Sequence, residues 1–177
     1  MSEKRLNVQP SGKERKFKPE ELIVSKTDLK GRITYANDLF LRLSDFTEKE
    51  VLGQPHSMIR HPDMPRCIFK LLWDEISAGN EIFAYVLNMG KKGDHYWVYA
   101  HVTPTFDANH QVIGYHSNRR VADPKILREK ILPLYAELRK IEEGTNNRKD
   151  GMNAASSALA QKLADAGVAY DKFIQSL

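Results

Sequence analysis

EIFAYVLNMGKKGDHYWVYAHVTPTFDANHQVIGYHSNRR, residues 81–120, decides the fold class. Glu81 to Met89 is β-prone and stops at Gly90-Lys91-Lys92-Gly93-Asp94, a hairpin turn. His95 to Phe106 then alternates: Tyr96, Val98, Ala100 and Val102 fall on one face, and Trp97, Tyr99, His101 and Thr103 on the other. Asp107-Ala108-Asn109-His110 turns the chain again, and Val112 to Arg120 reads as a third strand. Short turns between consecutive strands make an antiparallel meander.

Working upstream, Leu22-Ile23-Val24 and Ile33-Thr34-Tyr35-Ala36 flank the turn Asp28-Leu29-Lys30-Gly31, the pattern of a hairpin. Leu39, Phe40, Leu43 and Phe46 recur at helical spacing, and Thr47 with Glu50 forms a capping box for a short helix that Gly53 ends. Pro55, Pro62 and Pro65 predict an irregular segment that fixes its polar side chains in place. Ile68, Leu71, Leu72 and Ile76 mark a helix ending near Gly79. Downstream, Pro124 opens a helical stretch through Leu127, Ile131, Leu134, Leu138 and Ile141, with a kink or restart at Pro133. Residues 144–151 read as a polar linker. Met152, Ser156, Leu159, Leu163, Ala166, Tyr170, Phe173 and Leu177 read as one last amphipathic helix, weakened by Gly167. This order gives an α+β fold: a five-stranded antiparallel sheet curved against helices over one face, with a central pocket and a C-terminal helical extension. The expected divisions are a flexible basic arm over 1–18, a folded domain over 19–122 and C-terminal helices over 123–177.

The composition fits that architecture, with 41% hydrophobic and 28% charged residues in 177. No run approaches the roughly 20 apolar residues that cross a bilayer. The polar N-terminus lacks a signal segment, so a cytoplasmic protein is expected. Cys67 is the only cysteine, which excludes an internal disulfide. The net charge of +4 resides in residues 1–18, where six Lys and Arg face Glu3 and Glu14. The remainder is balanced, so the charge reads as a solvated tail and not as a nucleic-acid surface.

The chain has no Gly-x-Ser-x-Gly, no phosphate-binding glycine loop and no His-Glu-x-x-His, and no nucleophile, base and orienting group stand in register, so no enzyme is expected. Its six histidines fit no zinc pattern; His95 and His101 share a strand face but stand about 20 Å apart at the strand rise. Cys67, opening an apolar helix, reads as a small core residue. Arg60-His61-Pro62-Asp63 puts a cation, an imidazole and a carboxylate within four residues. Such a set suits a phosphate or ring carbonyl, or else a loop tied to itself by Arg–Asp pairing. Asn88, late in an apolar strand, either reads a ring edge in the pocket or satisfies the adjacent turn. Asn37, between a strand and a helix, suits a helix cap.

Ile33-Thr34-Tyr35-Ala36-Asn37-Asp38, Gly53-Gln54-Pro55-His56, Met58-Ile59-Arg60-His61-Pro62-Asp63-Met64-Pro65 and Gly93-Asp94-His95-Tyr96-Trp97-Val98 together resemble the PAS domain of the bacterial aerotaxis receptor family. The resemblance runs from about Glu21 to Arg120, and Pro133-Leu134-Tyr135 is similar as well. It implies a PAS fold, FAD held without a covalent link, and a non-enzymatic sensor of redox state or oxygen supply. It implies that Arg60, His61 and Asp63 help hold the FAD and that Asn37 and Asn88 line its pocket. Phe69 and Trp73 match positions near the flavin, where plain core packing is the alternative. In two respects the chain departs from the family. Ile82 stands where a Trp is usual, and the chain stops at Leu177 where the receptors continue into a membrane anchor and a coiled coil. The expectation is a stand-alone sensory subunit whose output passes to a methyl-accepting chemotaxis-type receptor, with a homodimer formed through the N-terminal arm or the C-terminal helices. Cys67 lacks the Asn-Cys-Arg-Phe surroundings of the blue-light class, so no photochemical adduct is expected. A haem-binding gas sensor using His61, and a cofactor-free interaction module, are the alternatives.

Overall fold

In the computed structural model, which describes residues 8–177, the alternation along residues 95–106 becomes a difference in burial. Tyr96, Val98, Ala100 and Val102 are buried, while Trp97, Tyr99, His101 and Thr103 are half-buried. Five strands form one antiparallel sheet: β1 (Ile23–Thr27), β2 (Ile33–Ala36), β3 (Ile82–Met89), β4 (His95–Phe106) and β5 (Val112–Val121). Their spatial order is β2-β1-β5-β4-β3, so the first and last strands close the middle of the sheet. Ser25 pairs with Ser117, and Ala100 with both Ala84 and Arg119.

Between β2 and β3 lie α1 (Asp38–Ser44), α2 (Glu48–Val51), a 3-10 turn (His56–Ile59) and α3 (Arg66–Ser77). Thr47 and Glu50 make the expected capping box of α2. These elements bury Phe40, Leu43, Ile59, Met64 and Ile68 in one core with Ile23, Ile33, Tyr96 and Val98. After β5 come α4 (Pro124–Ile126), a π-helical turn (Leu127–Ile131) and α5 (Leu132–Glu143), then α6 (Arg148–Asp165) and α7 (Tyr170–Gln175). The restart expected at Pro133 takes the form of that π turn. The ring of Pro133 cannot accept a regular helix upstream, and the wider turn accommodates it.

The last helix is two helices. Gly167 takes φ +66°, a left-handed conformation that ends α6, and the chain restarts at Tyr170. The polar linker is also shorter than expected, because the Asn147 side chain accepts from the Lys149 and Asp150 amides and starts α6 there. α5 packs on α6, α6 on α3, and α7 on β3, so the extension lies along the β3 edge of the sheet. Tyr135 rests 6.1 Å from Trp97, and its hydroxyl donates to the Tyr85 carbonyl at 2.6 Å.

The expectation of a flexible arm over 1–18 is corrected for residues 8–18; residues 1–7 lie outside the described residues. Ser11 N–H donates to the Gly93 carbonyl (3.0 Å), His95 N–H to Lys13 (2.9 Å) and Arg15 N–H to His95 (2.7 Å). The Arg15 guanidinium binds Asp94 at 3.1 Å, the Arg42 carbonyl at 3.0 Å, and Asp45. These carboxylates lie 30 and 79 residues away in sequence, which is why a local count of charges misses the pairing.

Gly93 makes this strap possible. It sits at φ +90°, and a Cβ there would lie 2.3 Å from the Gln9 carbonyl oxygen. Gly93→Ala is expected to lower stability by about 1–3 kcal/mol and to expose the segment before Lys18 to proteolysis. Thermal melts with limited trypsin digestion check this; an unchanged digestion pattern contradicts it.

Candidate functional site

Between the sheet and the Arg60 segment lies a cavity of about 600 Å³. That is within the usual range for small-molecule sites, roughly 300–1,000 Å³. Its sheet wall carries Ser25, Val86, Asn88, Ala100, Ser117 and Arg119. Phe69 and Trp73 of α3 face them, and Met152 of α6 completes the lining from the C-terminal extension. Among the described residues no Asp or Glu lines the cavity.

The Arg-His-Pro-Asp set is split by its backbone. Arg60 forms an isolated antiparallel bridge with Asn88, which places these two residues side by side on the wall. The Arg60 guanidinium lies 4.1 Å from the centroid of the Phe69 ring, a cation–π contact. The next residue of an extended segment points the other way. His61 is accordingly buried off the cavity, 5.9 Å edge-on from His95. Its Nδ1 accepts from the Asp63 N–H at 3.0 Å. Burial pushes the His61 imidazole below its ordinary value, against the opposing pull of Asp63. Asp63 turns outward and pairs with Arg139 of α5 at 2.9 Å.

Asn37 lies off the cavity as well. Its Oδ1 accepts from the Phe40 and Val24 amides, both at 3.1 Å, and its Nδ2 donates to the Leu22 carbonyl at 2.8 Å. It is the cap of α1, and every polar atom of its side chain is spent on backbone. Of the seven residues singled out by the sequence, Arg60, Asn88, Phe69 and Trp73 meet at the cavity, while Asn37, His61 and Asp63 do not. Trp73 stands edge-on to Tyr115 at 5.5 Å, and Ile82, itself off the lining, packs with Ile76, Val102 and Tyr115, which are on it.

Asn88 is 3% exposed, and among the described residues its Nδ2 has no hydrogen-bond partner. The cost of such a buried orphan donor is about 1–3 kcal/mol. Cys67 is a core residue: it lies off the cavity lining, and burial together with the Glu142 carboxylate pushes its thiol up to about 12.

Glu142, at the end of α5, anchors this wall to the extension. Pro65 precedes α3 and offers no side-chain cap. Glu142 supplies one from 75 residues away, accepting from Cys67 N–H (2.8 Å), Arg66 N–H (3.1 Å) and Arg66 Nε (3.0 Å). A carboxylate at a helix N-terminus also meets the positive end of the helix dipole. Burial alone would raise the Glu142 carboxyl; the two backbone donors and the Arg66 guanidinium outweigh it and hold it below its ordinary value.

The sequence reading missed Ser25, His56, Met152 and Arg119. Arg119 had a signal. Tyr115, Ser117 and Arg119 alternate on one face of β5, and that face looks inward. Met152 had none, because nothing local to α6 says which cavity it reaches.

Comparison with known proteins agrees with this architecture. The PAS fold family model matches residues 33–119. The aerotaxis receptor of Escherichia coli (strain K12) is 42% identical over 117 residues, which cover 66% of this chain and 22% of that receptor. Among solved structures, a light-oxygen-voltage domain from a flavin-analogue study superposes with a TM-score of 0.57 at 20% identity, covering 66% of this chain and 89% of its own. The dark structure of the blue-light photoreceptor Aureochrome1 LOV gives 0.56 at 20% identity, covering 65% and 86%. These two likenesses speak to the fold alone. The sheet order, the matched residues and the identity shared with the receptor lead to one conclusion: the chain carries a PAS domain of the aerotaxis receptor family.

Proposed function

We propose that this PAS domain binds a flavin, FAD, and acts as a cytoplasmic redox or oxygen sensor for energy-seeking motility. The observation that carries the reading is the buried, unpartnered Asn88 amide nitrogen on the wall of a roomy cavity. The residues present fit the group. Asn88 offers a donor and an acceptor to a ring edge, Phe69 and Trp73 offer aromatic surface, and among the described residues no carboxylate lines the cavity to repel phosphate. The choice of FAD among the flavins rests on what the resemblance to the aerotaxis receptor family implies.

When bound, the flavin supplies reversible uptake of electrons and protons. Asn88 can exchange donor for acceptor by rotating its amide, so it can follow a change at the ring edge. Arg60 shares a backbone bridge with Asn88, and the segment continues to Asp63 and Arg66, which hold α5 through Arg139 and Glu142. A shift at the wall therefore has a direct mechanical route to the C-terminal helices. Two arrangements separated by a few kcal/mol suffice for a switch. The listener on this reading is a methyl-accepting chemotaxis-type receptor, and a homodimer through the C-terminal helices is the assembly that would present them.

A haem reading needs an imidazole free to ligate inside the cavity. His61 lies off the cavity; of the two imidazoles on its lining among the described residues, His56 has its Nε2 held by Ser25 and Arg119 at 3.1 Å each, and His116 Nε2 meets Asn118 Oδ1 at 3.2 Å. The test is a visible spectrum of protein purified without added cofactor, repeated after reconstitution with FAD. Flavin bands are expected, together with a tryptic pattern in residues 123–177 that differs between oxidised and reduced protein. An intense Soret band would establish haem. Colourless protein after reconstitution would leave the cofactor-free interaction module.

A further inference from the structure

Arg119 lies on β5 beside Ala100 and is 2% exposed. Its Nε donates to Ser117 Oγ at 2.9 Å; one terminal nitrogen donates to Ser25 Oγ and to His56 Nε2, the latter at 3.1 Å. The Phe40 ring centroid is 5.4 Å from the guanidinium carbon. A guanidinium only donates, so His56 must accept at Nε2 and carry its proton on Nδ1. Burial, followed by the charge of Arg119, lowers His56 to about 3, in keeping with a neutral ring. Everything around the cation is therefore neutral. Among the described residues no carboxylate pairs with it, and its second terminal nitrogen, buried, has no partner. By contrast Arg66 and Lys70, on the same cavity lining, hold Glu142 and Asp74.

A buried cation that belongs to a cavity lining and keeps a spare donor is arranged to receive an acceptor. Asn88 presents the other spare donor. It pairs with Tyr96, four residues along β4 from Ala100, so the two residues are anchored about 13 Å apart along the strands and two strand spacings, about 10 Å, across them. A multiply charged phosphate beside one buried cation would be heavily desolvated, and Lys30 at an exposed turn suits it better. We propose that Arg119, framed by Ser25, Ser117 and His56, is the recognition subsite for one carbonyl of a planar fused-ring ligand whose remaining polar edge meets Asn88. The proposal rests on the flavin reading for the identity of that ligand, and not for the existence of the subsite.

The test uses Arg119→Met and Arg119→Lys in the full chain. Flavin-free Arg119→Met is expected to melt at the same temperature as the flavin-free parent or higher, because it removes an uncompensated buried charge. A fall of more than about 3 °C, or failure to fold, makes Arg119 a structural cation and overturns the proposal. Riboflavin, FMN and FAD are then titrated separately. Arg119→Met is expected to weaken all three by the same factor, about tenfold or more, with Arg119→Lys intermediate. Unchanged affinity overturns the proposal, as does a loss confined to the two phosphate-bearing ligands. If the parent binds none of the three, the flavin reading fails on its own, and the melting comparison decides the subsite.

Discussion

Glu142→Ala is expected to destabilise the folded chain by about 3–5 kcal/mol, the usual penalty for breaking a buried charged pair from one side. Three donors lose their acceptor together: the first two amides of α3 and the Arg66 guanidinium. Pro65 cannot replace the cap, and Glu142 is 5% exposed, so water does not readily substitute. For a chain of this size the melting point should fall by roughly 6–20 °C. Glu142→Gln keeps one acceptor oxygen and should lose distinctly less. The pH profile carries the same signature. A carboxyl whose folded value is depressed contributes stability that is complete above its unfolded value, about 4.3, and is lost as pH falls through the folded value. The parent should therefore lose stability in acid more steeply than Glu142→Gln. Equal melting points for parent and Glu142→Ala would mean that α5 does not hold α3.

Arg60→Ala is the second large effect, and it is on ligand binding. The side chain combines a cation–π contact with Phe69 and charged donors beside Asn88. On the flavin reading it loses hydrogen bonds from a charged group, about 1.5–3 kcal/mol, and the support of Phe69. FAD affinity should fall by about 30-fold to 1,000-fold, read by quenching of flavin fluorescence on titration of flavin-free protein. Arg60→Lys keeps the charge without the planar fork and should lie between. Binding within threefold of the parent would remove Arg60 from the site.

The fold was legible because its signals are local. Alternation in β4, the Gly-rich turn before it and the capping box at Thr47 each depend on a few neighbouring residues, and each appears in the structure at the residues that announced it. The site was half legible. Arg60, Asn88, Phe69 and Trp73 were named, but His61 and Asp63 were grouped with Arg60 by adjacency in sequence, and an extended backbone sends adjacent side chains to opposite sides. Asn37 was open between cap and pocket, and helix capping took all of its hydrogen-bonding capacity. Arg15, Glu142 and Met152 were out of reach because their partners lie 27 to 79 positions away or on another element altogether. Long-range pairing of this kind depends on how elements pack, which periodicity does not encode.

Strand β3 lies at a margin of the sheet, where exposed amides and carbonyls invite another chain to add on. Here that margin is already taken. The Leu87 amide donates to Met64 sulfur, the Leu87 carbonyl accepts from His61, and the Tyr85 carbonyl accepts from Tyr135. A visiting peptide cannot zip onto this side without first evicting both the Arg60–Met64 segment and a C-terminal helix. The same blockade shields this margin from edge-on polymerisation and turns a would-be strand acceptor into an internal seam.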